Sequence, residues 1–527
     1  DFFTDNDGNN VSVWEMNEPI PTYLMAIAVG SYTVVHQTHI STLNGNAVPV
    51  MLVALGQDTT NIKNSFQNLT AAFDIYEAAF GPYQWNKIGY VFTPFSNAAM
   101  EHATMITYPA AIATGNLQFE TIMAHELAHS WFGNLITCRT AEDMFINEAF
   151  ATYSEALFLE KLYSPNMGLQ ELKSKHRRVI QSAHLEDGAF LPLSGVPTNA
   201  TYGIHTYQKG ATMVHNLRSY LGDSLFFKAF QDLFAQNAFQ DMDALELQNK
   251  LSQYSGVNLE DFFNQYIFEP GFNAVKLKKW EVMSNNGSDY EVKVTLQQKK
   301  RVSELFFHYR DFPITFVGAN WEKLTVEVEF NQEISNFDFV VPFEPVHVFV
   351  NEDERFFQAV TAENITVTNT GQQELFYAYF RLFTKNLAQD SAFVSIAHHR
   401  VAPDQIQNPV VSNQFVLSSE RYWSVGGVWD AQTDFDGRVF FDARNNNNGN
   451  LDNDLFQAHG SVAFHEDSIV LLYRPNTNSE WQEYPNYVRS TMGPPTDGFC
   501  RFDILDLKKG EYTFGFRQNP LSTSNED

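Results

Sequence analysis

The chain has 527 residues, of which 44% are hydrophobic and 18% are charged, so it can bury sizeable cores and predicts roughly three or four domains. Its formal net charge of −28 argues against nucleic acid or an anionic membrane as a main partner, because an acidic surface attracts neither. No apolar run approaches the ~18 residues of a transmembrane helix. The two cysteines, Cys138 and Cys500, are too few for a disulfide scaffold.

The N-terminal part combines strand patterns with one helical pattern. The apolar run at residues 23–29 predicts a buried strand, and alternating residues predict further strand to about residue 55. Across residues 60–80 the apolar side chains recur at steps of three and four, which predicts a helix that ends at the Gly-Pro pair 81–82. Residues 88–95 predict another strand.

A helical period dominates residues 117–267, where Asp223 and Asp243 have the chemistry of helix N-caps. In residues 272–527 the period changes to two, which indicates strands. These short strands are too many for one β-sandwich and favour two, and the turn residues 369–371 are the predicted join.

A metal-binding pattern lies within the helical region. Residues 125–129 read His-Glu-Leu-Ala-His, so both imidazoles lie one helical turn apart on one face and can hold one ion. Glu126 directly follows the first histidine, which places its carboxylate beside the metal, where a general base for metal-activated water belongs. On its own the motif is a weak signal, because two histidines on a helix surface would have the same spacing.

A third candidate ligand strengthens this pattern. Glu148 lies 19 residues after His129 and opens a second helical segment that can pack beside the first. Two histidines and one glutamate leave a fourth position for water, which is typical of catalytic rather than structural zinc. His125, His129 and Glu148 are therefore the predicted ligands of one Zn²⁺ ion.

This combination resembles the gluzincin metallo-aminopeptidases, the family of aminopeptidase N and leukotriene hydrolase. The residues after the motif, Ser-Trp-Phe-Gly-Asn at 130–134, and Asn147 before the third ligand agree with that family. Asp143, Gly-Pro-Tyr at 81–83 and Thr-Tyr-Leu at 22–24 match further landmarks. The resemblance covers about residues 15–270. It implies a zinc-dependent hydrolase with a thermolysin-like, mostly helical catalytic domain.

A segment upstream of the zinc motif is similar to the family's substrate anchor. Residues 98–102 read Ala-Ala-Met-Glu-His, where the family has Gly-x-Met-Glu-Asn. The resemblance implies that Glu101 binds the free α-ammonium of the substrate and that Ala99, Met100 and His102 line the substrate site. A carboxylate suits this role because an α-amine is mostly protonated at neutral pH. Ala98 stands where the family has glycine, and His102 where it has asparagine. These two differences affect which substrate side chains are preferred more than they affect the type of reaction.

Two tyrosines complete the implied site. Tyr207, in Thr-Tyr-Gln-Lys-Gly at 206–210, stands where the family has a tyrosine whose hydroxyl donates to the oxyanion that forms when water adds to the carbonyl. Tyr202, five residues earlier, is implied to line the pocket. With 22 tyrosines in the chain, motif position alone selects these two.

The sequence thus predicts an α+β multidomain protein in which a thermolysin-like catalytic domain is followed by two β-sandwich domains. The predicted divisions are residues 1–31, a remnant of the N-terminal β domain that family members usually carry, 32–271, the zinc domain, 272–370, the first sandwich, and 371–527, the second sandwich with a frayed tail at 522–527.

Two further features carry less specific patterns. Aspartates between Asp442 and Asp454 surround an Asn-rich stretch at 445–450, which predicts a loop, and they are a candidate Ca²⁺ site although they lack the spacing of a calcium-binding loop. The pair His398 and His399 is interpreted as buried sandwich histidines rather than as a second metal site.

The predicted function is a zinc aminopeptidase that hydrolyses the N-terminal bond of peptides with a free N-terminus. Two alternatives stay open. One is a zinc endopeptidase or epoxide hydrolase on the same scaffold, and the other is a catalytically silent peptide-binding or adhesion protein. The acidic excess and the β-rich C-terminal half favour a secreted, periplasmic or cell-surface location, and the sequence does not indicate an oligomeric state.

Overall fold

The structure is a computed structural model that describes residues 2–56, 59–95, 98–287, 289–408, 414–444, 451–458 and 465–518. The predicted loop at 445–450 and the predicted frayed tail at 522–527 lie outside these residues. The chain divides into two compact units. Unit 1 comprises Asp1–Gln170 and Asp223–Asn258, and unit 2 comprises Glu171–Gly222 and Leu259–Asp527.

The described residues form helices and strands with these bounds. The α-helices are α1 Thr60–Ser65, α2 Leu69–Phe80, α3 Glu120–Ala128, α4 Phe145–Leu162, α5 Pro165–Glu186, α6 Gly210–Leu221, α7 Asp223–Asn237, α8 Ala244–Ser255, α9 Glu260–Tyr266 and α10 Asn453–Ala458. The strands of unit 1 are β1 Phe2–Thr4, β2 Asn10–Ser12, β3 Tyr32–Ile40, β4 Ala47–Leu55, β5 Ile88–Thr93, β6 Ile106–Pro109, β7 Ile136–Cys138 and β8 Gln240–Met242. Those of unit 2 are β9 Phe272–Asn286, β10 Asp289–Arg301, β11 Tyr309–Gly318, β12 Lys323–Phe330, β13 Ile334–Val341, β14 Pro345–Val350, β15 Val360–Val367, β16 Gly371–Leu375, β17 Phe380–Asn386, β18 Ala392–His399, β19 Phe415–Leu417, β20 Tyr422–Val428, β21 Asp434–Asp442, β22 Ile469–Arg474, β23 Gln482–Glu483, β24 Tyr487–Thr491, β25 Phe499–Ile504 and β26 Gly510–Arg517.

Unit 1 combines a four-stranded sheet with helices that share an aromatic core. The sheet order is β3-β4-β5-β6, in which β3 and β4 are antiparallel and the other pairs are parallel. Phe132, just after α3, lies 4.9 Å between ring centroids from Phe80 of α2 and 4.9 Å from Phe150 of α4. The same ring meets Phe230 of α7 at 5.7 Å. This core therefore anchors α3 and α4, the two helices that carry the predicted zinc ligands.

The strands of unit 2 form two pairs of facing sheets. The sheets β13-β10-β9 and β12-β11-β14 meet through ring contacts such as Phe316 with Phe339. The sheets β15-β18-β20-β26-β22-β23 and β16-β17-β21-β25-β24 enclose a second core, where Phe514 packs on Phe441 and Phe502. This arrangement agrees with the prediction of many short antiparallel strands after residue 272.

Two predictions require correction. Residues 23–29 do not form a buried strand: Thr22–Leu24 is a 3₁₀ turn, and Ile27 and Val29 are each 90% exposed. An apolar run becomes a strand only where another strand pairs with it, and in the described part of the chain none does, so that Leu24 alone of this run is buried.

The predicted join at 369–371 lies within the second pair of sheets. β15, at Val360–Val367, already pairs with β18, so the second pair begins after β14, between residues 351 and 359. The turn at 369–371 connects two strands of that same pair, because turn residues mark a change of chain direction and not a domain border. Residues 171–222 and 259–271 group with unit 2, so the compact units also do not follow the predicted range 32–271.

None of the described helices is both long and apolar enough to cross a membrane.

Unit 2 contains three buried histidines, His176, His398 and His399. His176 of α5 donates from Nε2 to the carbonyl oxygen of Gln358 at 2.6 Å, and His399 pairs with Ser424 at 3.0 Å. Neither ring nitrogen of His398 has a hydrogen-bond partner among the described residues. Burial lowers the pKa of His176 to about 3 and holds the pKa values of His398 and His399 well below the ordinary value of 6.5.

We expect acid to destabilise unit 2 in a defined window. In the unfolded chain these histidines take up protons near pH 6.5, whereas in the fold they stay neutral to a much lower pH. Their contribution is therefore fully present above pH 6.5 and falls below it, by about 1.4 kcal/mol per histidine and pH unit. Urea unfolding between pH 7 and pH 5 measures this slope. His398→Leu removes two unpartnered nitrogens and is expected to flatten the slope and raise stability at pH 5; an unchanged slope would contradict the assignment.

Candidate metal centre

The three predicted ligands come from two packed helices of unit 1. His125 lies in α3, and His129 caps that helix with helical backbone angles (φ −57°, ψ −22°), so the two rings remain one turn apart. Glu148 lies in the first turn of α4. The hydroxyl of Tyr90 in β5 donates to the carbonyl oxygen of Met123 at 2.8 Å, which ties α3 to the sheet. The ligand spacing is thus produced by regular helix geometry.

The ligand atoms converge at distances that suit a single zinc ion. The Nε2 atoms of His125 and His129 are 3.1 Å apart. The Oε2 atom of Glu148 lies 3.4 Å from each of them. Ligands at about 2.0–2.1 Å from a tetrahedral zinc ion are separated by about 3.3–3.4 Å, so the three atoms fit one face of such a tetrahedron.

Each histidine is oriented by a hydrogen bond on its other nitrogen. The Nδ1 atom of His125 lies 2.8 Å from Oε1 of Glu155, and Nδ1 of His129 lies 2.8 Å from the carbonyl oxygen of Phe132. Because both partners are acceptors, the Nδ1 atoms carry the hydrogens and the Nε2 lone pairs are left for a metal. Sequence reasoning missed Glu155, whose only signal is its position seven residues after Glu148 on the same helix face.

Replacing Glu155 by glutamine is expected to weaken zinc binding by about 10–100-fold, because the ring of His125 loses its acidic partner. Competition with a chelator measures this affinity. Glu142→Gln, at an exposed position of the same unit, is the matched control. Equal affinities of the two variants would show that Glu155 does not orient the ligand.

Glu126 has the environment of a general base. Its side chain is buried, and its Oε2 atom has no hydrogen-bond partner among the described residues. Burial raises the pKa of Glu126 to about 7, against the opposing charges of His125 and His129, and the charge of Glu101 adds to the rise. A carboxylate with a pKa near neutrality can both accept and release a proton at pH 7.

A second carboxylate shares this pocket. Carboxylate oxygens of Glu101 and Glu126 and a ring nitrogen of His129 all lie within 4.8 Å of one another. Glu101 is 6% exposed, and its carbonyl oxygen accepts a hydrogen bond from Asn134 at 2.8 Å. Glu101 is therefore not one of the ordinary solvent-exposed carboxylates of a strand. The role of Asn134, five residues after the second histidine, was not predicted.

The neighbours of Glu101 lie beside the edge strand β6. Met100 exchanges two backbone hydrogen bonds with Thr107 of β6, each 2.9 Å long. His102 reaches the hydroxyl of the same threonine at 2.9 Å, and burial lowers its pKa. Ala99, Met100 and His102 are all half-buried. The predicted anchor segment therefore has a defined backbone next to Glu101.

The two predicted tyrosines belong to unit 2. Tyr207 lies in a π-helical turn at His205–Lys209, and Tyr202 is 69% exposed. The structure thus brings His125, Glu126, His129, Glu148 and Glu101 together in unit 1, and the roles of the two tyrosines stay predictions.

The candidate calcium site consists of carboxylates that have other partners. Asp442 binds Arg444 at 2.8 Å, and Asp452 forms a buried ion pair with Arg421 at 2.5 Å. Asp454 accepts from the backbone of Ser419 at 2.6 Å. Because residues 445–450 lie outside the described part of the chain, calcium binding stays a prediction.

On this α+β fold, two histidines and one glutamate form a group that could hold a metal ion, and a buried carboxylate lies beside them. Residues 64–266 match the Peptidase family M1 domain. Aminopeptidase N of Lactococcus lactis subsp. lactis is 27% identical over 289 residues, and that of Streptomyces lividans is 28% identical over 296 residues; each match covers 50% of this chain and 33% of the relative. Residues 64–266 are thus similar to the peptidase domain of family M1, in agreement with the resemblance to the gluzincin aminopeptidases.

These relatives correspond to part of the chain only. The chain spans about a third of the length of the curated relatives it matches. Aminopeptidase A of Legionella pneumophila, solved in complex with aspartic acid, shares the fold with a TM-score of 0.53 at 16% identity, over 64% of this chain and 39% of that one.

Proposed function

We propose that the chain is a zinc aminopeptidase that removes the N-terminal residue of peptides. The observation that carries this proposal is the second buried carboxylate, Glu101, beside Glu126 and His129. A metallohydrolase that cleaves internal bonds has no need of a buried acid at this place. An α-ammonium group, which titrates near pH 8, is the substrate group that such an acid binds best at neutral pH.

The position of this acid sets where a substrate is cut. When Glu101 holds the α-ammonium, the first carbonyl of the peptide is the one that reaches His125 and His129. A longer N-terminal extension would have to displace the ammonium from its acid. Cleavage at the N-terminal bond therefore follows from the fixed distance between the carboxylate of Glu101 and the metal ligands.

The other residues have separate tasks in this proposal. A zinc ion held by His125, His129 and Glu148 would polarise the scissile carbonyl and lower the pKa of water. Glu126 accepts the proton of the attacking water and delivers it to the leaving amine. The hydroxyl of Tyr207 donates to the oxyanion.

The proposal also covers the residues that line the substrate site, the arrangement of the domains and the cellular location. Ala99, Met100, His102 and Tyr202 line the site for the first side chain. The catalytic domain has a thermolysin-like arrangement and is followed by two β-sandwich domains. The acidic surface suits a secreted, periplasmic or cell-surface enzyme.

The test compares zinc-loaded protein on fluorogenic aminoacyl amides and on the same amides with an N-acetyl group. Cleavage of the free-amine substrates alone, lost after chelation and restored by zinc, is the expected result. Equal cleavage of the acetylated substrates would favour an endopeptidase. Full zinc occupancy without cleavage of either set would favour a peptide-binding protein, and turnover of an epoxide alone would favour the hydrolase alternative.

A further inference from the structure

Tyr207 lies in an unusual piece of helix within unit 2. Residues His205–Lys209 form a π-helical turn that leads directly into α6. Turns of this type are rare, occur frequently at functional sites, and need support from the surrounding residues. His205 lies two positions before Tyr207 and Lys209 two positions after it. Their side chains are buried, with 0% and 1% exposure.

The start of this turn is held by one carboxylate. Asp187 accepts hydrogen bonds from the backbone nitrogens of Ile204 and His205 at 3.1 and 2.8 Å. Its Oδ2 atom also lies 2.6 Å from Nδ1 of His205. A Cβ atom at Gly203 would come within 2.4 Å of Oδ1 of Asp187, so glycine is required at that position for the carboxylate to approach.

The hydrogen bonds of His205 determine which of its nitrogens carries the proton. The backbone N–H of Leu191 donates to Nε2 of His205 at 3.1 Å, so Nε2 is an acceptor. The hydrogen is therefore on Nδ1 and points to Asp187. Burial lowers the pKa of His205, in agreement with a neutral ring.

The end of the turn is held by a buried lysine. The Nζ atom of Lys209 donates to the carbonyl oxygen of Leu191 at 2.8 Å and lies 5.0 Å from the ring centre of Phe272. Burial lowers the pKa of Lys209 to about 7, and the amine can donate this hydrogen bond in either protonation state. Both ends of the turn are thus attached to the segment 187–191.

We propose that Asp187, His205 and Lys209 are positioning residues that hold Tyr207 in its working orientation through the π-helical turn. This inference rests on the proposed role of Tyr207 in the aminopeptidase reaction. None of the three residues reaches the substrate in this account. Each acts by fixing the backbone on one side of the tyrosine.

A double-mutant cycle separates positioning from general support of the fold. Asp187→Asn is expected to lower kcat on an aminoacyl amide by about ten- to a hundredfold, with KM nearly unchanged, because the oxyanion donor is misplaced. In a Tyr207→Phe background the same substitution is expected to have no further effect, since no hydroxyl remains to be positioned. Asp390→Asn, at an exposed position of unit 2, is the matched control.

A second measurement does not depend on activity. Hydrogen exchange of the amides of Ile204 and His205 is expected to accelerate in Asp187→Asn, because their acceptor loses its charge. If Asp187→Asn fails to fold, Lys209→Met, which keeps the shape of the side chain and removes its donor, replaces it in the cycle.

The outcomes distinguish this inference from the proposed function. If Tyr207→Phe lowers kcat but Asp187→Asn lowers it by the same factor in both backgrounds, the positioning role is wrong and the aminopeptidase proposal stands. If Tyr207→Phe leaves kcat unchanged, the role of the tyrosine and this inference both fall, while zinc-dependent cleavage remains. If the wild-type protein cleaves no free-amine substrate, the proposed function itself fails.

Discussion

Replacing Glu126 by glutamine is expected to lower kcat on aminoacyl amides by about a hundred- to ten-thousandfold while zinc stays bound. Glutamine has nearly the same shape but cannot accept the proton of the attacking water. The ligand atoms of His125, His129 and Glu148 converge without any contribution from Glu126, so occupancy is expected to remain full. The loss is therefore a loss of chemistry and not of the metal.

The measurement pairs steady-state kinetics with zinc analysis of the same samples. Glu142→Gln changes an exposed glutamate of the same unit and is expected to leave both quantities unchanged. A zinc-loaded Glu126→Gln protein with wild-type kcat would remove Glu126 from the proposed role. Loss of zinc in this variant would contradict the ligand assignment instead.

The local parts of the site could be predicted from the sequence. Residues four apart on a helix share a face, so the spacing of His125 and His129 specifies a bidentate pair wherever a helix forms. Glu148 needed one further assumption, that its helix packs beside the first. The structure confirms that packing through the aromatic contact of Phe132 with Phe150.

The supporting residues could not be predicted, because their roles depend on contacts between distant parts of the chain. Glu155 has no sequence feature that separates it from ordinary helix residues, and the motif that contains Asn134 does not show that its side chain donates to the backbone of Glu101. The prediction of a buried strand at 23–29 is wrong for a related reason. Hydrophobic pattern indicates what a segment could bury, whereas its burial depends on a partner strand or helix elsewhere. The early start of the second pair of sheets, at β15, likewise follows from pairing with β18 and not from local turns.

Replacing Glu101 by glutamine is expected to reduce kcat/KM for free-amine substrates by about 10–100-fold. A charge-assisted hydrogen bond contributes about 1.5–3 kcal/mol, and Glu101 is buried, so water does not replace the lost partner. The residual cleavage of the N-acetylated amides is expected to stay the same, because these substrates have no ammonium to lose. Kinetics on matched pairs of amides measures both effects in one experiment.

The same substitution is expected to stabilise the zinc-free protein near pH 10. The carboxylates of Glu101 and Glu126 lie within 4.8 Å of each other, and the charge of Glu101 raises the pKa of its neighbour. A neutral side chain removes this repulsion, but it also removes the attraction of Glu101 for the protonated ring of His129, whose pKa is raised to about 9 despite burial. The gain is therefore expected near pH 10, where His129 is mostly neutral, and there the melting temperature of the zinc-free Glu101→Gln protein should exceed that of the wild type. Loss of activity together with gain of stability marks a charge that is kept for substrate binding. A fall in both would instead assign Glu101 to the packing of unit 1, and the exopeptidase argument would lose its main support.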